Sequence, residues 1–340
     1  MKAQRTPCCL RLLLQCTAVH HRESPPRGRV CYRVAMIAPL PAPRDALHAH
    51  AAANDAAVAT TFIRRLLPSD ERTLVAFLLQ RPADNAYLLG HVARGALDDD
   101  ALAGAILGWW EQSRLVGVAL VGSNLVLSHG TPRSGIEAFA RFTSASAWVV
   151  RVIVGPDDIV HMFTEALALA PERVQLVRAH QVLLQVDKRT LRGDARSVEL
   201  RPAQANELDL MMSVDLQMVK EELGIDPFSS DMHGFQRGWL RRILEWRAWV
   251  AGPLGGPIQC KVDQAAVSPH IVQLSGVYTA PDFRRQGLAR RVLGELCHLL
   301  LREVPRVALY VHADNHAALR LYRSLGFYEV GRVRSVWLAV

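Results

Sequence analysis

The hydrophobic and polar positions of the chain alternate between two spacings from about residue 62 to the C-terminus. Apolar residues at intervals of three and four predict amphipathic helices, and short apolar or alternating runs predict strands. The predicted helices cover roughly residues 70–79, 85–97, 136–142, 157–169, 203–218, 232–246, 286–303 and 317–325. The predicted strands cover roughly residues 106–111, 115–121, 125–128, 148–154, 174–186 (as a pair), 198–200, 247–251, 258–262, 271–279, 307–311 and 333–340. This mixture predicts an α/β (α+β) fold with mixed sheets.

The predicted elements divide into two successive units of similar order. The charged stretch at residues 188–196 contains Gly193 and is typical of a linker. We therefore predict one domain over residues 57–190 and a second over residues 196–340. Residues 1–56 lack periodicity and are rich in Arg, Pro, Ala and His, so we expect a disordered basic tail or an over-extended start, with Met36 as an alternative first residue.

Charge and cysteine usage exclude several classes of protein. The formal net charge is +8, and the tail carries most of the excess, with eight Lys and Arg against three Asp and Glu. This distribution does not favour a nucleic-acid-binding face on the folded part. Four of the six cysteines lie in the tail and none forms a CxxC pair, so we expect neither a metal site nor a disulfide framework, and a cytoplasmic location. No apolar run is long enough to span a membrane.

Residues 277–289 contain the elements of an anion site. An apolar strand ends before Pro281, and two arginines and a glycine then open a helix, in the order Arg284, Arg285, Gln286, Gly287, Leu288, Ala289. The first amides of a helix have no intrahelical partner and lie at the positive end of its dipole. A pyrophosphate cradle and a solvated turn with a surface arginine pair are both compatible with these residues alone.

Two motifs together resemble the GNAT superfamily of N-acetyltransferases. The six residues from Arg284 to Ala289 fit that family's Gln/Arg-x-x-Gly-x-Gly/Ala loop. One helix and one strand later, the stretch from Asn315 to Phe327 fits its Asn-x-x-Ala-x-x-Leu-Tyr-x-x-Leu-Gly-Phe pattern. The resemblance covers about residues 198–340 and adds to the evidence for a pyrophosphate cradle.

The resemblance implies an acetyl-CoA site with assigned residues. The amides of Arg285, Gln286, Gly287, Leu288 and Ala289 are expected to bind the pyrophosphate, with charge from Arg284 and Arg285. The backbone of Val277, Tyr278 and Thr279 is expected to pair with the pantetheine arm, in a gap where this strand splays from the strand at residues 307–311. Asn315 is expected to orient the pantetheine, and Tyr322 to protonate the leaving thiolate. A buried tyrosine packed on Phe327 is the structural alternative for Tyr322.

The acceptor amine must lose a proton, which calls for a carboxylate or a water held by one. Glu221 and Glu222 follow the first helix of the second unit, and Asp263 is placed at the end of a predicted strand. Each residue also has an ordinary structural explanation, as a solvated helix end or a turn cap. Among them we select Glu222 and Asp263 as candidate catalytic residues.

The first unit is expected to be a degenerate GNAT-like domain. Residues 128–135 occupy the equivalent of the cradle but lack the Arg-x-x-Gly-x-Ala pattern, so we expect no acetyl-CoA there. The resulting hypothesis is an acetyl-CoA-dependent N-acetyltransferase that modifies a primary amine by direct attack in a ternary complex. Its acceptor is a small molecule or a peptide, with no nucleic acid, membrane or metal involved. A non-catalytic acyl-CoA-binding regulatory module is the alternative, and the oligomeric state is left open.

Overall fold

Two copies of one element order follow each other along the chain, as the hydrophobic pattern predicts. The structure is a computed structural model that describes residues 61–97, 104–193, 200–224 and 231–339. Here residues 61–193 are called the first half and residues 200–339 the second half. Residues Thr60–Val340 form one compact unit. The predicted tail and Met36 lie outside the described residues.

The first half runs in the order strand, two helices, three strands, helix, strand, helix, strand. Its strands are β1 (Thr61–Arg65), β2 (Gly104–Glu111), β3 (Arg114–Gly122), β4 (Asn124–Leu127), β5 (Val152–Pro156) and β6 (Val174–Asp187). Its helices are α1 (Glu71–Leu78), α2 (Ala86–Val92), α3 (Arg133–Ala145) and α4 (Asp157–Ala166). The predicted pair of strands over residues 174–186 was wrong, because β6 is one long strand.

The second half repeats this order. Its strands are β7 (Leu200–Pro202), β8 (Ala248–Ala251), β9 (Cys260–Val267), β10 (Val272–Thr279), β11 (Arg306–His312) and β12 (Tyr328–Leu338). Its helices are α5 (Leu208–Leu223), α6 (Met232–Leu244), α7 (Leu288–Glu303) and α8 (His316–Ser324). The repetition agrees with the expected tandem organisation.

The two halves exchange their last strands within one sheet. The described strands lie in the order β1-β2-β3-β4-β5-β12-β6-β11-β10-β9-β8-β7. Strand β12 pairs with β5 and β6 of the first half, and β6 pairs with β11 of the second half. The mixed α/β class is confirmed. The division into domains at residues 190 and 196 stays a prediction, because the strands of both halves share the sheet.

Helix α7 illustrates how the hydrophobic pattern builds the core beneath the site. Its apolar residues recur with helical spacing and form one face of the helix. The buried members are Leu288, Val292, Leu293, Leu296, Cys297 and Leu301. They pack against the buried residues of β9, β10 and β11, and burying each large side chain contributes about 1.5–3 kcal/mol. This packing fixes the start of α7 relative to the end of β10.

Close packing also joins the halves. Helix α2 of the first half lies on β9 so closely that a Cβ at Gly90 would lie 2.7 Å from the Cβ of Ala266.

Among the described residues, no helix combines the length and apolar character needed to cross a bilayer.

Candidate active site

Strands β10 and β11 separate after a short parallel contact. They pair only at Val272↔Val307 and Gln273↔Ala308. Beyond that point β10 pairs with β9 through two register shifts, the second of which contains Gly276 at φ 56°, while β11 continues to pair with β6. A bulge of this kind bends the strand away from its neighbour. The separation leaves the gap that the family resemblance implies.

The equivalent strands of the first half stay together. Strands β4 and β5 pair in parallel at three consecutive positions, Asn124 to Val126. Just beyond them, a Cβ at Gly155 would lie 2.9 Å from the carbonyl oxygen of Leu127. The two backbones are therefore in contact where β10 and β11 have separated.

The backbone of β10 presents alternate residues to the gap. The N–H of Ala280 donates to the carbonyl of Gln259 at 3.0 Å, on the β9 side. In an antiparallel ladder the groups of the next residue point the other way. Val277 and Thr279 consequently direct their N–H and C=O groups toward the gap, while Tyr278 pairs with β9. Of the three predicted pantetheine-binding residues, two have the required backbone direction.

The loop between β10 and α7 leaves a row of amides available. Arg285 and Gly287 both adopt left-handed backbone conformations, with φ of 60° and 71°. Helix α7 begins at Leu288 without a side-chain cap, and its first backbone bond runs from Arg291 N to Gly287 O at 3.2 Å. Within the described residues, the amides from Arg285 to Arg290 donate to no protein acceptor. Such a turn at a helix N-terminus is suited to binding phosphate oxygens.

The carbonyl side of this loop is braced by side chains. Arg291 Nη1 donates to Gln286 O at 3.0 Å, and Gln286 Nε2 donates to Asp282 O at 3.0 Å. These bonds use the carbonyls and leave the amides, so the predicted cradle residues lie together in one preformed turn.

Arg284 is engaged away from the cradle. Its Nη2 lies 2.7 Å from Glu221 Oε2 and its Nε donates to Thr279 O at 2.9 Å. The Tyr278 hydroxyl donates to Glu221 Oε1 at 2.8 Å, and burial followed by Glu221 raises the pKa of Tyr278 to about 12. The Glu221 carboxylate is thus held by Arg284 first and Tyr278 second, and its pKa is lowered. Glu221 was considered but not selected from the sequence, because nothing local shows that the end of β10 lies beside α5.

Glu222 lies at the end of α5, seven residues after Asp215 and on the same helix face. Glu222 is an exposed residue, yet the surrounding protein desolvates its carboxylate and raises its pKa. Lys261 and Arg178 oppose this shift with their positive charges. Arg178 of β6 also donates a hydrogen bond to the backbone carbonyl of Glu222. A carboxylate with a raised pKa close to a gap is a stronger base than an ordinary solvated glutamate and is suited to accepting a proton there.

Asp263 is not at a strand end, so that prediction was wrong. It lies inside β9, where Lys261 Nζ contacts its Oδ2 at 2.6 Å, and its side chain is only 2% exposed. The same ammonium contacts Asp215 Oδ1 at 2.8 Å, and Trp239 Nε1 donates to the other oxygen of Asp215 at 3.1 Å. Burial alone would lower the pKa of Lys261, but the two carboxylates raise it. Asp263 therefore belongs to a buried ion cluster beside the bulge, where a Cβ at Gly276 would lie 2.2 Å from its Oδ2.

Tyr322 is buried on α8 beside the gap. Its ring packs on Phe327 with centroids 5.9 Å apart, as the structural alternative proposed. Its hydroxyl nevertheless forms no hydrogen bond with the described protein atoms. Burial raises its pKa, and the proximity of Glu222 and Cys260 raises it further. A phenol that stays protonated at this position can donate to a group entering the gap.

Asn315 caps α8 with its side chain. Its Oδ1 accepts from Ala318 N at 3.1 Å, as is common for asparagine before a helix. Only its amide nitrogen remains for a ligand. In the described parts of the chain, no group of three or more His, Cys, Asp and Glu side chains has an arrangement that could hold a metal ion.

Comparisons with known proteins agree with this geometry. Residues 228–327 match the family model described as Acetyltransferase (GNAT) family. This match lies within the second half of the chain. It confirms the predicted resemblance to the GNAT family and, at the level of that family, the prediction of an acyltransferase. Residues 104–211 match a different model, described as a domain of unknown function, DUF4081.

Two relatives carry the name mycothiol acetyltransferase. The protein from Thermobifida fusca (strain YX) is 31% identical over 208 residues, which is 59% of this chain and 60% of that protein. The chain therefore matches less than two thirds of the length of this relative. The protein from Rhodococcus jostii (strain RHA1) is 27% identical over 261 residues, or 74% of this chain and 79% of that protein. A solved Drosophila protein is 10% identical with a TM-score of 0.57, covering 82% of this chain and 99% of its own, and is similar in fold alone.

Proposed function

We propose that this GNAT protein is an acetyl-CoA-dependent N-acetyltransferase that acts on a primary amine by direct attack in a ternary complex. One observation carries the proposal. The free amides of the 285–290 turn, the separated strands β10 and β11, and the side chains of Glu222 and Tyr322 converge on one gap. Binding groups for a pyrophosphate and candidate groups for proton transfer therefore meet at one place.

Acetyl-CoA fits the polar groups that line this gap. The amides of Arg285 to Ala289 would receive the pyrophosphate, with charge from Arg285 and from Arg284 once it leaves Glu221. The gap-facing groups of Val277 and Thr279 would pair with the pantetheine, and the amide nitrogen of Asn315 would add a donor. The co-substrate supplies the activated acetyl group.

The proton-transfer roles follow from the protonation states. Desolvation raises the pKa of Glu222, which makes it a stronger base, and it accepts the proton of the amine directly or through a water. Tyr322 has a raised pKa, remains protonated and donates to the departing thiolate. We assign Asp263 a supporting role, because it is buried, its Oδ2 is paired with Lys261, and it packs against the bulge at Gly276.

The acceptor is proposed to be a small molecule. Because two relatives are named for mycothiol, the unacetylated form of mycothiol is the first amine to test. Amino acids, peptides and polyamines complete the panel.

Release of free thiol from acetyl-CoA over this panel tests the proposal. With the best acceptor, Glu222→Gln should lower kcat by about 10²–10⁴-fold and abolish the acidic limb of the pH profile. Tyr322→Phe should lower kcat while leaving the KM for acetyl-CoA within about twofold. Glu303→Gln is the matched control, since Glu303 is also an exposed glutamate in the last turn of a helix. Binding of acetyl-CoA without thiol release from any amine would favour the regulatory module instead.

A further inference from the structure

Arg178 brings the first half of the chain to the proposed transfer site. It lies on β6, the strand that the first half inserts between β11 and β12. The backbone near Arg178 is specifically shaped: His180 has a φ of 55°, and β6 and β12 change register between Val333 and Ser335. The Gln181 amide donates to both Arg178 O and Ser335 Oγ, at 3.3 and 3.1 Å. These contacts fix the backbone from which the Arg178 side chain extends.

The guanidinium of Arg178 reaches the end of α5. One of its terminal nitrogens donates to the carbonyl of Glu222. The last carbonyls of a helix lack intrahelical partners and lie at the negative end of its dipole, where a cation is favourable. Its Nε is buried without a hydrogen-bond partner among the described atoms, so the guanidinium has donor capacity that the free protein does not use.

Several charged or titratable groups face Glu222 from the elements around it. They are Arg178 on β6, Lys261 on β9, Asp215 and Glu221 on α5, and Tyr322 on α8. Only Arg178 in this set comes from the first half. Lys261 is already shared between two carboxylates. Arg178 has no carboxylate partner in the described residues, which leaves its charge available to Glu222.

We propose that Arg178 is a positioning residue of the transfer site, supplied by the first half through strand exchange, which holds the end of α5 and favours the charged form of Glu222. The inference rests on the proposed role of Glu222 as the base. It gives the first half a part in the reaction although its own strands β4 and β5 remain paired. A helix cap with no influence on the reaction is the competing explanation.

The test compares two replacements of Arg178 in the full chain. Arg178→Gln keeps a donor for the carbonyl of Glu222 but removes the charge, and Arg178→Lys keeps the charge. For the Gln variant we expect kcat to fall about tenfold, because a neutral donor holds the negative end of the α5 dipole less firmly than a cation does. Its acidic limb should move to higher pH by roughly half a unit, because a nearby cation favours the carboxylate. In the Lys variant the acidic limb should lie at the wild-type pH. The KM for acetyl-CoA should be unchanged in both variants.

Arg334→Met is the matched control. Arg334 is a partly buried arginine on the adjacent strand β12, but it pairs with Asp157 of α4 at 3.0 Å. It should leave both kcat and the limb unchanged. Thermal unfolding shows whether each variant is folded, and the KM for acetyl-CoA shows whether the turn at residues 285–290 is intact. If the Gln variant does not fold, the Lys variant still tests the inference. Arg178→Lys keeps the positive charge, so an acidic limb displaced from the wild-type pH would contradict the proposed effect of that charge on Glu222.

Two results would overturn the inference. A folded Arg178→Gln with wild-type kcat and an unmoved limb would show that the charge has no influence. Equal losses in the Gln and Lys variants without movement of the limb would show a helix cap only. Failure of the underlying function is separately visible, because Glu222→Gln would then retain both its activity and its acidic limb.

Discussion

The ion pair between Arg284 and Glu221 should oppose acetyl-CoA binding. Arg284 occupies Thr279 O on the gap side of β10 and is held there by Glu221 at 2.7 Å. If Arg284 is to reach the pyrophosphate, it must leave both partners. Glu221→Gln keeps an oxygen for the Tyr278 hydroxyl but removes the charge that retains Arg284. We therefore expect the variant to bind acetyl-CoA more tightly.

The magnitude follows from the exposure of the pair. The side chains of Arg284 and Glu221 are 42% and 38% exposed, so solvent screens their interaction. Pairs of this kind contribute about 0.2–1 kcal/mol. Removing that opposing contribution should lower the Kd by about 1.4- to 5-fold. The difference from wild type should shrink as salt is raised, because exposed charges are screened.

Titration calorimetry of acetyl-CoA at low and high salt measures this effect. Glu329→Gln is the matched control: Glu329 pairs with Arg332 at 2.8 Å, and these side chains are 40% and 48% exposed. The control should leave the Kd unchanged. A Kd for acetyl-CoA that is at least twofold higher in Glu221→Gln than in the wild type would refute the reasoning. It would mean that Glu221 holds Arg284 ready for the pyrophosphate.

Three further outcomes are expected. Gly276→Ala should destabilise the protein by about 2–4 kcal/mol in urea unfolding, since its Cβ would meet Asp263 and Lys261, whereas Gly224→Ala, also left-handed but in open space, should have a smaller effect. Residues 196–340 expressed alone should show no cooperative unfolding transition, because β6 is missing between β11 and β12; a cooperative transition would contradict this. Burial lowers the pKa of His91 to about 3, with Arg94 and Arg247 adding to it. The stability that neutral His91 contributes is therefore complete above about pH 6.5 and declines as pH falls. The free energy of unfolding should fall between pH 7 and 5 by about 2 kcal/mol less in His91→Phe than in the wild type. An unchanged pH dependence would contradict this.

The turn that opens α7 could be predicted because it depends on adjacent residues. A strand end, a turn with Gly287 and the first amides of α7 determine one another over a dozen positions, and the structure forms that turn. Asn315 before α8 is similar, since a helix cap requires only a side chain and the amide three residues later.

Asp263 shows where local patterns fail. The predicted strand stops at residue 262, but β9 continues to Val267 because β10 pairs with it and Lys261 neutralises the buried carboxylate. An aspartate typical of a turn is thus retained inside a strand by a buried charge cluster with Lys261 beside it, Asp215 on α5 and Arg242 on α6, which lies 3.7 Å from Asp263 Oδ2. A local window contains only Lys261.

The sequence by itself determined the repeated element order, the apolar face of α7, and the two motifs that indicate an acetyl-CoA site, because each depends on residues close together in the chain. Only the tertiary structure decided that the halves exchange β6 and β12, that Glu221 holds Arg284, and that Arg178 reaches Glu222. The hydrogen bonds Arg178–Glu222, Arg284–Glu221 and, between β6 and β12, Gln181–Ser335 join residues 44 to 154 positions apart. Their formation depends on which strands pair and which charges are desolvated together. These contributions to the free energy arise only once the chain is folded.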